Sequence, residues 1–92
     1  MANYIVTYDL NGPFPTHRQM DEHLSRMTAN RGRILETVWW VDYPGTVEQL
    51  RDQVAMILGK EDLLLVVETA SASWTKLLVP GATFHQALQK AA

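Results

Sequence analysis

The sequence contains no cysteine, which excludes disulfide bonds, thiolate nucleophiles and cysteine-based zinc sites. Its five glycines stand apart from one another, so it has no glycine-rich loop that could cradle a phosphate. Its apolar stretches, such as residues 63–67, are much too short to cross a bilayer. The first residues also lack a basic segment followed by an apolar run. We therefore expect a cytoplasmic protein with no membrane partner.

Positive charge is also scarce, since eight basic residues face ten acidic ones and the formal net charge is −2. This balance argues against a protein that coats nucleic acid by bulk electrostatics. Half of the basic residues fall within the first third of the chain: Arg18, Arg26, Arg31 and Arg33. Any basic surface should lie around the first helix and the turn after it. Alternatively, Arg26 and Arg31 only complement the negative end of that helix.

The first half of the chain predicts a strand, a helix and two more strands. Residues 3–10 are rich in β-branched and aromatic types, which favour a strand. Thr16 with Gln19 is a capping-box pattern, and it opens an amphipathic helix that ends by Gly32. Residues 33–43 predict two short strands with a bend near residues 36–37, and a single long strand is the alternative.

The second half predicts a further helix and strand. Thr46 with Gln49 repeats the capping-box pattern, and Gly59 ends the helix. Residues 63–69 form a nearly continuous apolar run, typical of a strand that is central or covered on both faces. The remaining segments are less regular: 71–79 predicts a short edge strand or a loop, and 83–90 a terminal helix.

This order of elements predicts an α+β fold, the ferredoxin-like β-α-β-β-α-β sandwich with both helices on one face of an antiparallel sheet. Residues 1–80 would form the domain, and residues 81–92 a C-terminal helical tail of the same domain. A chain of 92 residues buries only a modest share of its surface, which favours support from oligomerisation. The fold hosts many unrelated functions and does not name one.

Asp9 is the acidic residue best placed for chemistry. It stands at the carboxyl end of the first strand, where it could face its own copy across a dimer axis. Two carboxylates could then hold a hard cation such as Mg²⁺, which activates water against a phosphodiester. The alternative is an Asx-type turn former ahead of Asn11-Gly12. His17 and His23 are six residues apart on one helix, which does not favour a shared metal.

The tryptophans Trp39, Trp40 and Trp74 are candidates for a dimer interface. Adjacent residues on a strand point to opposite faces, so one of Trp39 and Trp40 should enter the core and the other should face solvent, a partner or a ligand. An exposed ring could stack on nucleic-acid bases. In a chain of negative net charge, an interface between two copies is the favoured interpretation.

Several strings occur in the order and spacing of a known family. Residues 4–11, Tyr-Ile-Val-Thr-Tyr-Asp-Leu-Asn, resemble the opening strand of the SinR-like relatives of the small CRISPR-associated adaptation endonuclease, the partner of the CRISPR integrase. The resemblance continues through residues 35–41, the helix at 50–52 and residues 61–68, and it reaches Trp74. It therefore covers residues 3–75.

The resemblance implies a ferredoxin-like homodimer in which Asp9 is the catalytic residue and the Mg²⁺ ligand. It implies nucleic acid and a CRISPR integrase-like protein as partners, with Arg18 in the position of an arginine that follows the Asp. Arg31 and Arg33 are further candidate nucleic-acid contacts. Val38-Trp39-Trp40 departs from the Ser-Val-Phe-like string of the nuclease branch. The alternatives are a non-enzymatic ferredoxin-like interaction module and a relative of VapD-type toxins.

Overall fold

The computed structural model describes residues 2–27, 31–76 and 78. The elements follow in the predicted order, with these bounds: β1 Ala2–Asp9, α1 His17–Met27, β2 Arg31–Leu35, β3 Val38–Tyr43, α2 Val47–Ala55 and β4 Leu63–Glu68. The helix predicted at residues 83–90 and the tail at 81–92 lie outside the described residues.

The four strands form one antiparallel sheet in the order β2-β3-β1-β4. In the register, Val6 of β1 lies opposite Trp39 on one side and opposite Val66 on the other. Side chains directly opposite each other share a face of the sheet. This α+β arrangement confirms the expected fold class and is compatible with the ferredoxin-like sandwich.

Both helices begin at the predicted capping boxes. At α1, the Gln19 amide donates to Thr16 Oγ1 (3.2 Å), and the Thr16 amide donates back to Gln19 Oε1 (2.8 Å). Thr46 and Gln49 make the same reciprocal pair at α2, at 3.1 and 2.8 Å. Each box satisfies two amides that have no partner within the helix.

The main core lies between the sheet and the two helices. Every second residue of β1 and β3 points toward the helices, and each helix turns its apolar side toward the sheet. This arrangement follows from the two-residue period of a strand and the 3.6-residue period of a helix. Its buried members are Tyr4, Val6, Tyr8, Met20, Leu24, Trp39, Val41, Leu50 and Val54. The opposite side of the sheet, which we call the open face, carries the other alternate residues of the same strands.

A tight turn divides residues 33–43, so two strands are present and the single-strand alternative is wrong. β2 ends at Leu35 and β3 begins at Val38. The Tyr8 amide donates to the carbonyl of Thr37 in this turn (3.3 Å). The turn therefore lies at the end of the sheet where β1 finishes.

The expectation of a central or doubly covered strand at residues 63–69 is wrong. Within the described residues β4 is an edge strand that pairs with β1 alone. Leu64 and Val66 pack against the main core, whereas the intervening side chains are exposed. An unbroken apolar run does not reveal that the described residues cover only one of its two faces.

After β4 the chain crosses the open face. The Thr69 amide donates to the carbonyl of Asn3 (2.9 Å), and the Leu78 amide donates to the carbonyl of Ile34 on β2 (3.0 Å). Between these points Trp74 packs on a second buried cluster built around Ile34 and Trp40. Residues 69–76 are neither helix nor strand, which agrees with the loop interpretation of residues 71–79 over the described part; residues 77 and 79 lie outside the described residues.

Gly45, in the turn between β3 and α2, is enclosed by side chains. A Cβ atom there would lie 2.6 Å from Cε2 of Tyr43 and would overlap Oε1 of Gln49, the capping side chain. We expect Gly45→Ala to lower the free energy of unfolding by about 1–3 kcal/mol, measured by urea denaturation. Gly12→Ala is the control, because its Cβ would meet only ordinary contacts at 3.7 and 4.0 Å. Equal stabilities of the two variants would contradict the steric explanation.

Candidate functional site

Asp9 is an exposed carboxylate on the open face. It is the last residue of β1 and lies directly opposite Leu63 of β4. The next pair along the two strands on this face is Thr7 with Leu65. An anionic side chain at the end of one strand therefore borders the exposed apolar side chains of its neighbour.

The turn after Asp9 is held by a different carboxylate. Asp62 accepts hydrogen bonds from the backbone amides of Asn11 (2.8 Å), Gly12 (3.2 Å) and Gly59 (2.7 Å). Among the hydrogen bonds of the described residues, no turn amide donates to Asp9. The anchoring role proposed for Asp9 in the turn-former alternative thus belongs to Asp62, and the Asp9 carboxylate faces solvent.

Asp62 should make the fold sensitive to acid. Hydrogen bonds from the amides of Gly59 and Asn11 hold the pKa of Asp62 below its ordinary value of 3.8. A carboxyl with a lower pKa in the folded state stabilises the fold above its unfolded pKa, and this contribution is lost as the pH falls through the folded pKa. We expect wild type to lose more stability than Asp62→Asn between about pH 6 and pH 2 in urea denaturation. Parallel pH profiles would contradict this linkage.

Arg18 lies in the first turn of α1, and its side chain is almost fully exposed. It forms an ion pair with Glu22 one turn later (3.6 Å), an exposed pair that contributes little stability. The ring of the preceding residue, His17, lies 6.4 Å from that of Tyr8, between ring centroids. The start of α1 is therefore close to the end of β1, so Arg18 and Asp9 lie at the same end of the domain, Arg18 on the helix side of the sheet and Asp9 on the open face.

Arg31 and Arg33 lie on the edge strand β2, away from Asp9. Arg33 forms an ion pair with Asp21 of α1, and its guanidinium lies 5.8 Å from the centroid of the Trp39 ring. It therefore belongs to the helix side of the sheet, whereas Asp9 is on the open face. Arg31 lies opposite Val41, toward the end of β3 that is remote from the turn at residues 36–37. The structure does not bring these two arginines together with Asp9, and their contact with nucleic acid stays a prediction.

The contacts of Arg33 belong to a buried polar cluster under α1. Tyr8 Oη, Trp39 Nε1 and one Asp21 oxygen are inaccessible to solvent there. Burial raises the pKa of the Tyr8 hydroxyl above its ordinary value of 10.0, and the nearby Trp39 indole partly opposes this rise. The hydroxyl therefore stays protonated at neutral pH and acts as a neutral polar group.

The tryptophans are covered to different degrees by their own chain. Trp39 is buried in the main core, as expected for one of the two adjacent rings. The expectation that the other ring faces solvent, a partner or a ligand is wrong, because Trp40 lies on the open face and is buried there by its own chain, in the second cluster with Ile34 and Trp74. Nε1 of Trp40 donates to Oδ1 of buried Asn3 (2.7 Å). A role for Trp39, Trp40 and Trp74 in a dimer stays a prediction.

The exposed apolar surface of the open face lies instead on β4. Leu63, Leu65 and Val67 are 60%, 57% and 43% exposed. We call these three residues the apolar stripe. The run at residues 63–67 contained the signal for it, because every second residue of a strand points to the same face. Sequence reasoning assigned both faces to the core and so missed the stripe.

Asp9 is the carboxylate that this site offers to a magnesium ion, and a second copy of the chain would add another. Among residues 2–27, 31–76 and 78, no group of three or more acidic or histidine side chains could hold a metal together. Mg²⁺ retains several water molecules and is often bound through one or two carboxylates. One Asp9 from each of two copies would satisfy that requirement, and a single chain would offer one exposed carboxylate.

Comparison with known proteins assigns no function to this chain. No protein-family model matches the chain, and a search of curated proteins finds no match either. In the part of the chain that the structure describes, no helix has the length and apolarity needed to cross a membrane.

Proposed function

We propose that this protein is a homodimer that acts on nucleic acid as a magnesium-dependent endonuclease of the SinR-like kind, with Asp9 from each copy at the shared site. The observation that carries the proposal is the position of Asp9, which is exposed on the open face and borders the apolar stripe. The family resemblance of the sequence supports the same assignment.

The apolar stripe supports the dimer. Exposed apolar patches mark contact surfaces, and a two-fold axis brings the same patch of both copies together. Asp9 lies directly opposite Leu63 at one end of the stripe. An axis close to that end would therefore bring the two carboxylates near each other.

The chemistry follows from that pairing. Two carboxylates in close approach repel each other, and a divalent cation relieves the repulsion. Bound there, Mg²⁺ would lower the pKa of a water molecule and polarise a phosphodiester. Arg18, exposed at the same end of the domain, would contact phosphate once it leaves Glu22. The low positive charge of the chain fits a small number of phosphate contacts.

The direct test is incubation of pure protein with labelled RNA, single-stranded DNA and duplex DNA, with magnesium or with a chelator. We expect wild type to cleave one of these substrates only with magnesium and Asp9→Asn to cleave none. Cleavage by Asp9→Asn at the wild-type rate would exclude the assigned role. Absence of cleavage of all three substrates by wild type would contradict nuclease activity.

A non-enzymatic, self-associating interaction module is the second candidate. The apolar stripe favours it, because the stripe supports a dimer whether or not Asp9 binds a metal. A dimer that responds neither to magnesium nor to nucleic acid would establish this alternative.

A further inference from the structure

A groove of about 410 Å³ lies between α1 and the end of α2, on the helix side of the domain and away from the open face. Its apolar part comes from Phe14, Pro15 and Ile57. Phe14 precedes α1 and is 68% exposed, although a large aromatic side chain of a monomer is usually buried. The volume falls in the range of small-molecule sites.

The polar part of the groove comes from one face of α1. Gln19, Glu22, His23 and Arg26 occupy positions three and four residues apart, so they lie along the same side of the helix. Glu22 has a partner in Arg18, whereas Arg26 forms no ion pair with another described residue. The groove therefore combines an exposed aromatic ring, hydrogen-bonding side chains and an available cation.

His23 gives the groove a defined hydrogen-bonding character. Its Nε2 lies 2.7 Å from the backbone carbonyl of Gln53 on α2. A carbonyl oxygen only accepts, so Nε2 must carry the proton, and Nδ1 of the neutral ring is left as an acceptor. This bond also links α1 to α2, the two elements on either side of the groove.

We propose that this groove binds one nucleotide, with the base stacked on Phe14, the base edge hydrogen-bonded by Nε2 of Gln19 and Nδ1 of His23, and the phosphate paired with Arg26. The other polar atom of Gln19, Oε1, accepts from the Thr16 amide in the capping box. Proteins bind single-stranded nucleic acid by stacking bases on aromatic side chains and pairing the phosphates with basic groups, the two features that Phe14 and Arg26 supply here. A groove for an apolar helix would lack this set of polar residues. The site is separate from Asp9 and does not rest on the proposed nuclease activity.

The test is a titration of ¹⁵N-labelled protein with AMP, adenosine and a short single-stranded RNA, followed by amide chemical shifts in NMR. We expect saturable shifts along residues 19–26 with all three ligands. Phe14→Ala should weaken AMP binding by about tenfold or more. Arg26→Gln should weaken the binding of AMP but not of adenosine. Met56→Ala is the control, because Met56 is 72% exposed and does not line the groove.

The outcomes tell whether the ligand is a strand or a free nucleotide, and they separate the groove from the site at Asp9. Tighter binding of the RNA than of AMP would identify a strand as the ligand, and equal or weaker binding would identify a free nucleotide. Asp9→Asn should bind AMP as wild type does, even if no cleavage is found. No saturable shift with any ligand, or wild-type affinity of Phe14→Ala for AMP, would overturn the proposal.

Discussion

Asp9→Asn is expected to abolish the stabilisation of the protein by magnesium. A ligand that binds only the folded dimer stabilises it by mass action, by about 2.7 kcal/mol at a concentration 100-fold above its Kd. The substitution removes the anionic ligand and also the repulsion between the two carboxylates. Without magnesium, the variant should therefore fold and dimerise at least as well as wild type. Thermal melts across a magnesium titration measure both effects.

The control for this experiment is Asp52→Asn. Asp52 is an exposed carboxylate on α2, away from the open face, and its Oδ1 lies 3.0 Å from a guanidinium nitrogen of Arg51. This variant should keep the full magnesium response, because it removes one acidic charge without touching the proposed site. If wild type and Asp9→Asn respond alike to magnesium, Asp9 is not a metal ligand.

Leu65→Asp should convert the proposed dimer into a monomer. Leu65 is the middle residue of the apolar stripe and is 57% exposed in the single chain, so the change costs little folding stability. In a dimer that covers the stripe, each copy would bury one new carboxylate that has no partner. We expect the dissociation constant to rise by about 100-fold or more. Size-exclusion chromatography with light scattering at micromolar concentration measures the mass.

Met56→Asp provides the matched control for the dimer. Met56 is also exposed and apolar, but it lies at the end of α2, away from the stripe. This variant should keep the wild-type mass. A monomeric wild type would remove both the dimer and the paired arrangement of Asp9, and a dimeric Leu65→Asp would place the interface elsewhere.

The elements of the fold could be predicted because their signals are local. Each capping box spans four residues, and the turn at residues 36–37 interrupts a run of β-prone residues. The position of β4 at an edge is not local, since it depends on how the strands are ordered in the sheet. The cover over Trp40 is not local either, because it comes from Trp74, far along the chain.

The candidate site was predictable to a similar extent. The placement of Asp9 at the end of a strand followed from the β-branched residues before it. Among the described residues, Asp9 accepts no hydrogen bond from the amides of the following turn. This could not be predicted, because Asp62, from a distant segment, accepts those hydrogen bonds instead. The groove at Phe14 likewise draws on three separate segments, and its residues form no motif in the sequence.

The crossing of the open face by residues 69–76 has a consequence for colloidal behaviour. A sheet with two unprotected edges can add further copies at both ends, and such addition propagates into fibres. Here the Leu78 amide donates a hydrogen bond to the Ile34 carbonyl on β2. The outer side of β4 pairs with no other described strand. One carbonyl of the β2 edge is thus already paired within the chain, which makes continuous strand addition at that edge less favourable than at β4.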